Sequence, residues 1–170
     1  IHIRDILVDV CKNENMEMFD VLMKLGGECK NWGKILWPLI RKACKVGNLE
    51  ILEKLIQLGE CNYKYIFNAL RYASIGGHTD VVEMLIHMGF DVNIENLEVK
   101  TALHLSCKHG HLATITKLIQ LGANVNSEDK NRLTPLIYAC KNGHVACFEK
   151  LIESGANFDL KFNTYSSLFF

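Results

Sequence analysis

Residues 134–144, Thr134-Pro135-Leu136-Ile137-Tyr138-Ala139-Cys140-Lys141-Asn142-Gly143-His144, decide how this chain folds. Thr134 carries the side chain of a helix N-cap, and Pro135 fits the first helical position, where its missing N–H costs nothing. Gly143 falls where that helix must stop and reverse. One period upstream, Thr101-Ala102-Leu103-His104 makes the same start and Gly110-His111 the same stop. Gly77-His78 repeats the stop again, with Gly47-Asn48 as a weaker counterpart. A second glycine closes an apolar helical run at Gly26, Gly59, Gly89, Gly122 and Gly155, at spacings of 33, 30, 33 and 33 residues. Between the two markers lies an amphipathic stripe such as Leu49, Leu52, Leu55, Ile56 or Val82, Leu85, Ile86, with the i, i+3, i+4 spacing of a helix. Two independent markers share one period, so each unit reads as helix, tight turn, helix, connector.

Thr-Pro-Leu, Ala-Cys, Gly-His and Gly-Ala-Asn-Val-Asn together resemble the ankyrin repeat. The pattern is specific, because several residue types hold a fixed register over more than two units. The resemblance covers nearly all of residues 1–170 as a single domain of five repeats, starting near Asp5, Pro38, Asn68, Thr101 and Thr134. It implies an all-α solenoid of stacked helix-turn-helix units with short hairpin connectors. The first repeat departs from the pattern, with Glu14-Asn15 in place of Gly-His, and in the second Pro38 sits one position early. The 30-residue step before Gly89 removes three residues from the connector Glu60–Phe67, so its hairpin finger should be shortened or missing. Ser167-Leu168-Phe169-Phe170 lies one period after Thr134-Pro135-Leu136-Ile137 and reads as the start of a sixth repeat, and Ile1 and Ile3 point to sequence before the start. The chain therefore reads as part of a longer protein. Solenoid units bury their apolar faces only against neighbours, which makes such arrays continuous along one axis.

Composition agrees. Of 170 residues, 49% are hydrophobic and 22% charged, enough apolar material for a core and incompatible with disorder. Nineteen basic and nineteen acidic residues cancel, which argues against nucleic acid or a membrane surface as partner. The longest clean apolar run, Ile35–Ile40, is six residues, far short of the roughly 18 a spanning helix needs. Seven cysteines and no secretory signal point to a reducing compartment, cytoplasm or nucleus.

Cys11, Cys44, Cys107 and Cys140 share one register position, with Ser74 in the third repeat. A small residue there permits close helix packing, and free Cys behaves as a small hydrophobe. His104, Cys107, His109 and His111 are four metal-capable donors within eight residues. Three of them already have repeat-register roles, so no metal or cofactor is expected. There is no phosphate loop, no Gly-x-Ser-x-Gly elbow and no paired-carboxylate motif, and the chain is read as non-enzymatic.

Binding is the positive expectation. In ankyrin-like repeats the concave face, built from first helices and hairpin fingers, holds partner proteins. In register there, one position gives Lys12, Lys45, Ile75, Lys108 and Lys141, and three residues earlier on the same face stand Tyr72 and Tyr138. Connector positions add Trp37, Phe67, Lys100 and Leu133 just before the helices, and Ile35 and Tyr65 nearer the fingertips. A lysine ladder interrupted by aromatic residues would take an acidic or amphipathic segment of another protein, although lysines in register also arise from repeat duplication alone. The alternatives are a regulatory arm of a larger channel, kinase or ubiquitin-ligase adaptor, and a pathogen effector module. The resemblance further implies Asn93, in Asp91-Val92-Asn93, as a target of an asparaginyl hydroxylase, with Asn126 the poorer match.

Overall fold

The computed structural model describes residues 6, 9–10, 13, 15–26, 32–57, 63–95 and 98–158. Asp5, Lys12, Cys11, Cys29, Cys61 and Ser167–Phe170 lie outside the described residues. The described helices are α1 Met16–Gly26, α2 Trp32–Val46, α3 Leu49–Gln57, α4 Tyr63–Gly76, α5 Thr79–His87, α6 Ala102–His109, α7 Leu112–Gln120, α8 Pro135–Lys141 and α9 Val145–Glu153. No strand occurs among the described residues.

Each first helix pairs with the second helix that follows it: α2 with α3, α4 with α5, α6 with α7 and α8 with α9. First helices stack α2 on α4 on α6 on α8, and α5, α7 and α9 stack behind them. The core is the seam between these two layers. Leu55, Leu85, Leu118 and Leu151, one from each second helix, are all 0% exposed, each contributing about 2 kcal/mol by burial. Cys44, Ser74 and Cys107 hold their shared position at 0% exposure, where a larger side chain would separate successive first helices.

The Gly-His dipeptide joins repeats. His78 Nε2 lies 2.8 Å from the Lys45 carbonyl, His111 Nε2 2.8 Å from Ile75 and His144 Nε2 3.2 Å from Lys108, each reaching back one repeat. Each imidazole lies over the preceding repeat's turn glycine. A Cβ on Gly47, Gly77 or Gly110 would fall 2.3, 2.5 or 2.6 Å from the ring of His78, His111 or His144. Glycine is therefore required twice at each turn, for its left-handed φ and for the ring that covers it. At Gly143, with φ +72, no ring and no other atom of the described residues stands within 4 Å of the space its Cβ would take. Beside it a shallow apolar hollow is lined by Ala139, Cys140, His144 and Phe148. Cys140 is exposed, unlike Cys44, Ser74 and Cys107 at the equivalent position.

The connectors differ in kind. Between α5 and α6, and between α7 and α8, Asx turns shape the fingers: Asp91 Oδ1 accepts from Asn93 N–H and Asn124 Oδ1 from Asn126 N–H. Val99 and Arg132 occupy equivalent finger positions, both at φ 59. Ahead of the second and third repeats the helices start early, at Trp32 rather than near Pro38 and at Tyr63 rather than near Asn68. The expected connector residues Ile35, Trp37, Tyr65 and Phe67 thus belong to helices. Leu36, 3% exposed, and Trp37, packed on the core, explain this in α2, since a helical turn carries them onto the apolar seam. Pro38 then lies inside α2, where it leaves the Lys34 carbonyl without its intrahelical donor.

Candidate partner-binding groove

The groove expected from the sequence comprises the outward faces of α2, α4, α6 and α8 and the two fingers. Lys45, Lys108 and Lys141 are exposed on α2, α6 and α8, and Ile75 on α4 is half-buried. Their backbones serve the stack, since the Lys45, Ile75 and Lys108 carbonyls face the histidines of the next repeat. Their side chains project away from the seam. Ile35, Tyr65 and Phe67 are placed in α2 and α4, and their side chains lie outside the described residues.

Tyr72 is the centre of a cationic and aromatic cluster. Its ring centroid is 6.5 Å from that of Trp37, with the planes inclined at 48°. The Arg41 guanidinium lies 5.8 Å from the Tyr72 centroid and that of Arg71 lies 5.3 Å away. Both distances are within reach of a cation–π attraction. Neither arginine was singled out in the sequence. The signal was available in the register, because Arg41 and Arg71 occupy the position of His104 in the fourth repeat.

Lys100, Leu133 and Tyr138 are brought together, but largely for structural work. Tyr138, 9% exposed, donates its hydroxyl to Asp129 Oδ2 at 2.8 Å. Asp129 Oδ1 accepts from the N–H groups of Asn131 and Leu133 at 2.8 and 3.0 Å, so one carboxylate closes the finger and anchors it to α8. Burial alone would raise the Asp129 carboxyl, but the Leu133, Tyr138 and Asn131 bonds outweigh it and hold the group below its ordinary range. Lys100 pairs with Glu98 and stands 5.5 Å from the Tyr138 centroid. Burial works against the Lys100 ammonium, yet its bonds to Glu98 and Tyr138 raise its affinity for the proton, and Lys100 in turn lowers Glu98. Burial and the bond to Asp129 raise the Tyr138 hydroxyl. Asp129 was missed in the sequence, because a finger carboxylate reads as solvated until the fold places Tyr138 above it.

The four clustered donors of the fourth repeat have separate engagements. Thr101 N–H and the Thr101 hydroxyl face His104 Nδ1 at 3.1 and 2.9 Å, so Nδ1 is the acceptor and Nε2–H donates to the Leu133 carbonyl at 3.0 Å. Burial lowers the pKa of His104, favouring the neutral imidazole this tautomer needs. Burial likewise pushes the Cys107 thiol far up, which makes it a poor nucleophile and a poor ligand. His109 stacks on His111 with centroids 6.1 Å apart. Among the described residues no group of three or more His, Cys, Asp or Glu side chains is placed to hold a metal ion. Asn93 bridges fingers: its Nδ2 donates to the Gly122 carbonyl at 3.2 Å and its Oδ1 accepts from Asn124 N–H at 2.8 Å. Asn126 repeats this with Gly155 and Asn157.

A family model for ankyrin repeats in three copies matches residues 7–96 and 94–162. The chain belongs to the ankyrin-repeat family. Ankyrin repeats generally mediate protein–protein interaction, and their stacked first helices and fingers are the elements described above. No curated protein matches this ankyrin-repeat chain. None of its described helices is long and apolar enough to cross a membrane.

Proposed function

We propose that this ankyrin-repeat chain is a non-enzymatic interaction module that holds a segment of another protein across α2, α4, α6 and α8, with the fingers as one wall. The supporting observation is the repeat-equivalent placement of the exposed Lys45, Lys108 and Lys141 on successive first helices, with half-buried Tyr72 and Ile75 between them. Cations at a fixed register along a stack make an extended positive strip, while the aromatic and aliphatic surface between them supplies desolvated contact area. An acidic or amphipathic segment fits both features.

Peptides selected from a display library on the immobilised protein provide the test. Amide hydrogen exchange of the complex should slow on α4, α6, α8 and the fingers. Lys108→Glu with Lys141→Glu should cut affinity chiefly through the association rate and flatten its salt dependence. Protection confined to the second helices, or affinity unchanged by charge reversal, rejects this reading.

A further inference from the structure

We infer that Arg41 and Arg71, flanking Tyr72, form a two-point anion site that takes two carboxylates of an extended Asp/Glu-rich segment of a partner protein. This rests on the groove reading and shifts its specificity determinant from the lysines to an arginine pair.

The two arginines come from successive first helices and meet over one ring, at 5.8 and 5.3 Å from its centroid, so their charges stand at most about 11 Å apart. Two like charges gathered this closely call for a counter-charge. The described ion pairs use Lys54, Lys100, Lys117 and Lys150 instead. Glu98, whose charge Arg71 feels, is bonded to Lys100. Arg71 Nε is buried and, among the described residues, has no hydrogen-bond partner, a state native proteins rarely tolerate without a ligand or other compensation.

The register sharpens the argument. In the fourth repeat the same position is His104, which ties its repeat to the Leu133 carbonyl. Arginine at this position in both the second and third pairs replaces an internal bond with a cation over Tyr72. A guanidinium fork matches a carboxylate in two parallel hydrogen bonds, and its stem packs on aromatic surface. Alternate residues of an extended segment lie about 7 Å apart, within the span available between the two guanidinium groups. Two acidic residues separated by one other would therefore place carboxylates on Arg41 and Arg71 from one face of the segment, with the intervening side chain on the opposite face.

Trp37 provides a local reporter once Trp32 is replaced by Phe. The probes are a synthetic decapeptide of alternating Glu and Phe, its Gln-for-Glu counterpart, and the Gln peptide bearing one phosphotyrosine. The Glu peptide should perturb Trp37 emission saturably, and Arg41→Gln or Arg71→Gln should each weaken it about tenfold, the loss of one charge-assisted pair. Arg41→Lys should recover part of that loss. Arg41 is exposed, so its variants keep the fold even if Arg71→Gln unfolds α4, which circular dichroism would reveal. Equal binding of the Gln peptide, binding of the phosphopeptide alone, or indifference to Arg41→Gln overturns the inference. If Lys108→Glu with Lys141→Glu weakens the Glu peptide while Arg41→Gln does not, the arginine site fails and the groove survives. If neither acts, both fail.

Discussion

Replacing Gly110 and Gly143 in turn by alanine separates the two demands made on the turn glycine. The positions are repeat equivalents with φ +75 and +72, so an alanine at either meets the same left-handed penalty, about 1 kcal/mol. Only Gly110 is covered. Its new Cβ would lie 2.6 Å from His144 Nδ1, well inside contact distance, so the ring has to move. Moving it breaks the bond from His144 to the Lys108 carbonyl, worth about 1 kcal/mol, and removes ring packing worth about another. Gly110→Ala should therefore cost about 3 kcal/mol and Gly143→Ala about 1 kcal/mol. Urea denaturation followed by circular dichroism reads the difference, and a double-mutant cycle assigns it. In a His144→Ala background the extra cost of Gly110→Ala should vanish. Equal costs at the two glycines, or an extra cost that survives without His144, would refute the ring-over-glycine account.

Val99→Gly should raise stability by about 1 kcal/mol in the same urea titration, because a β-branched residue at φ 59 is strained and glycine is not. Tyr138→Phe should lower it by about 1 kcal/mol by stranding Asp129 Oδ2. The Asp129 pKa is lower in the folded state than in the unfolded, so its contribution is complete above about pH 4 and disappears as pH falls through the depressed native value; Asp129→Asn should remove that part of the acid transition. His104 is also lowered, but as a base: the unfolded chain binds its proton first, so stability is full above about pH 6.5 and falls as pH drops towards the native value, a slope that His104→Asn should lack in thermal melts from pH 5 to 8. Iodoacetamide on native protein should alkylate Cys140 and spare Cys44 and Cys107, and peptide mapping showing early modification of Cys107 would contradict its burial.

Much of the architecture was readable in the chain because a repeat writes each structural requirement several times. Thr101 and Thr134 stand in extended conformation ahead of α6 and α8 and Pro135 opens α8, although of the two threonines only Thr101 forms a capping box and the Thr134 side chain makes no capping bond. These are local effects, carried by one or two residues and their own backbone. The early starts of α2 and α4 were not readable. Pro38 announces a first turn by its local chemistry, yet the apolar seam at Leu36 and Trp37 draws the preceding residues into the helix at the expense of one backbone bond.

The candidate groove divides in the same way. Lys45, Lys108 and Lys141 were found by counting from each glycine, since side chains one repeat apart occupy one face of a regular stack. Which polar groups face each other across repeats depends on three dimensions. Lys100 and Tyr138, grouped with the lysines on register alone, are held by Glu98 and Asp129. Arg41 and Arg71 share a register position, but only the fold shows that they converge on Tyr72. The sequence by itself determined the period, the turn glycines and the small core positions, because each depends on the conformation or volume of a single residue. Only the tertiary structure decided which charges are paired, because an electrostatic pairing depends on distance in space, whether the partners lie two residues apart, as Glu98 and Lys100 do, or 34 apart, as Asp20 and Lys54 do.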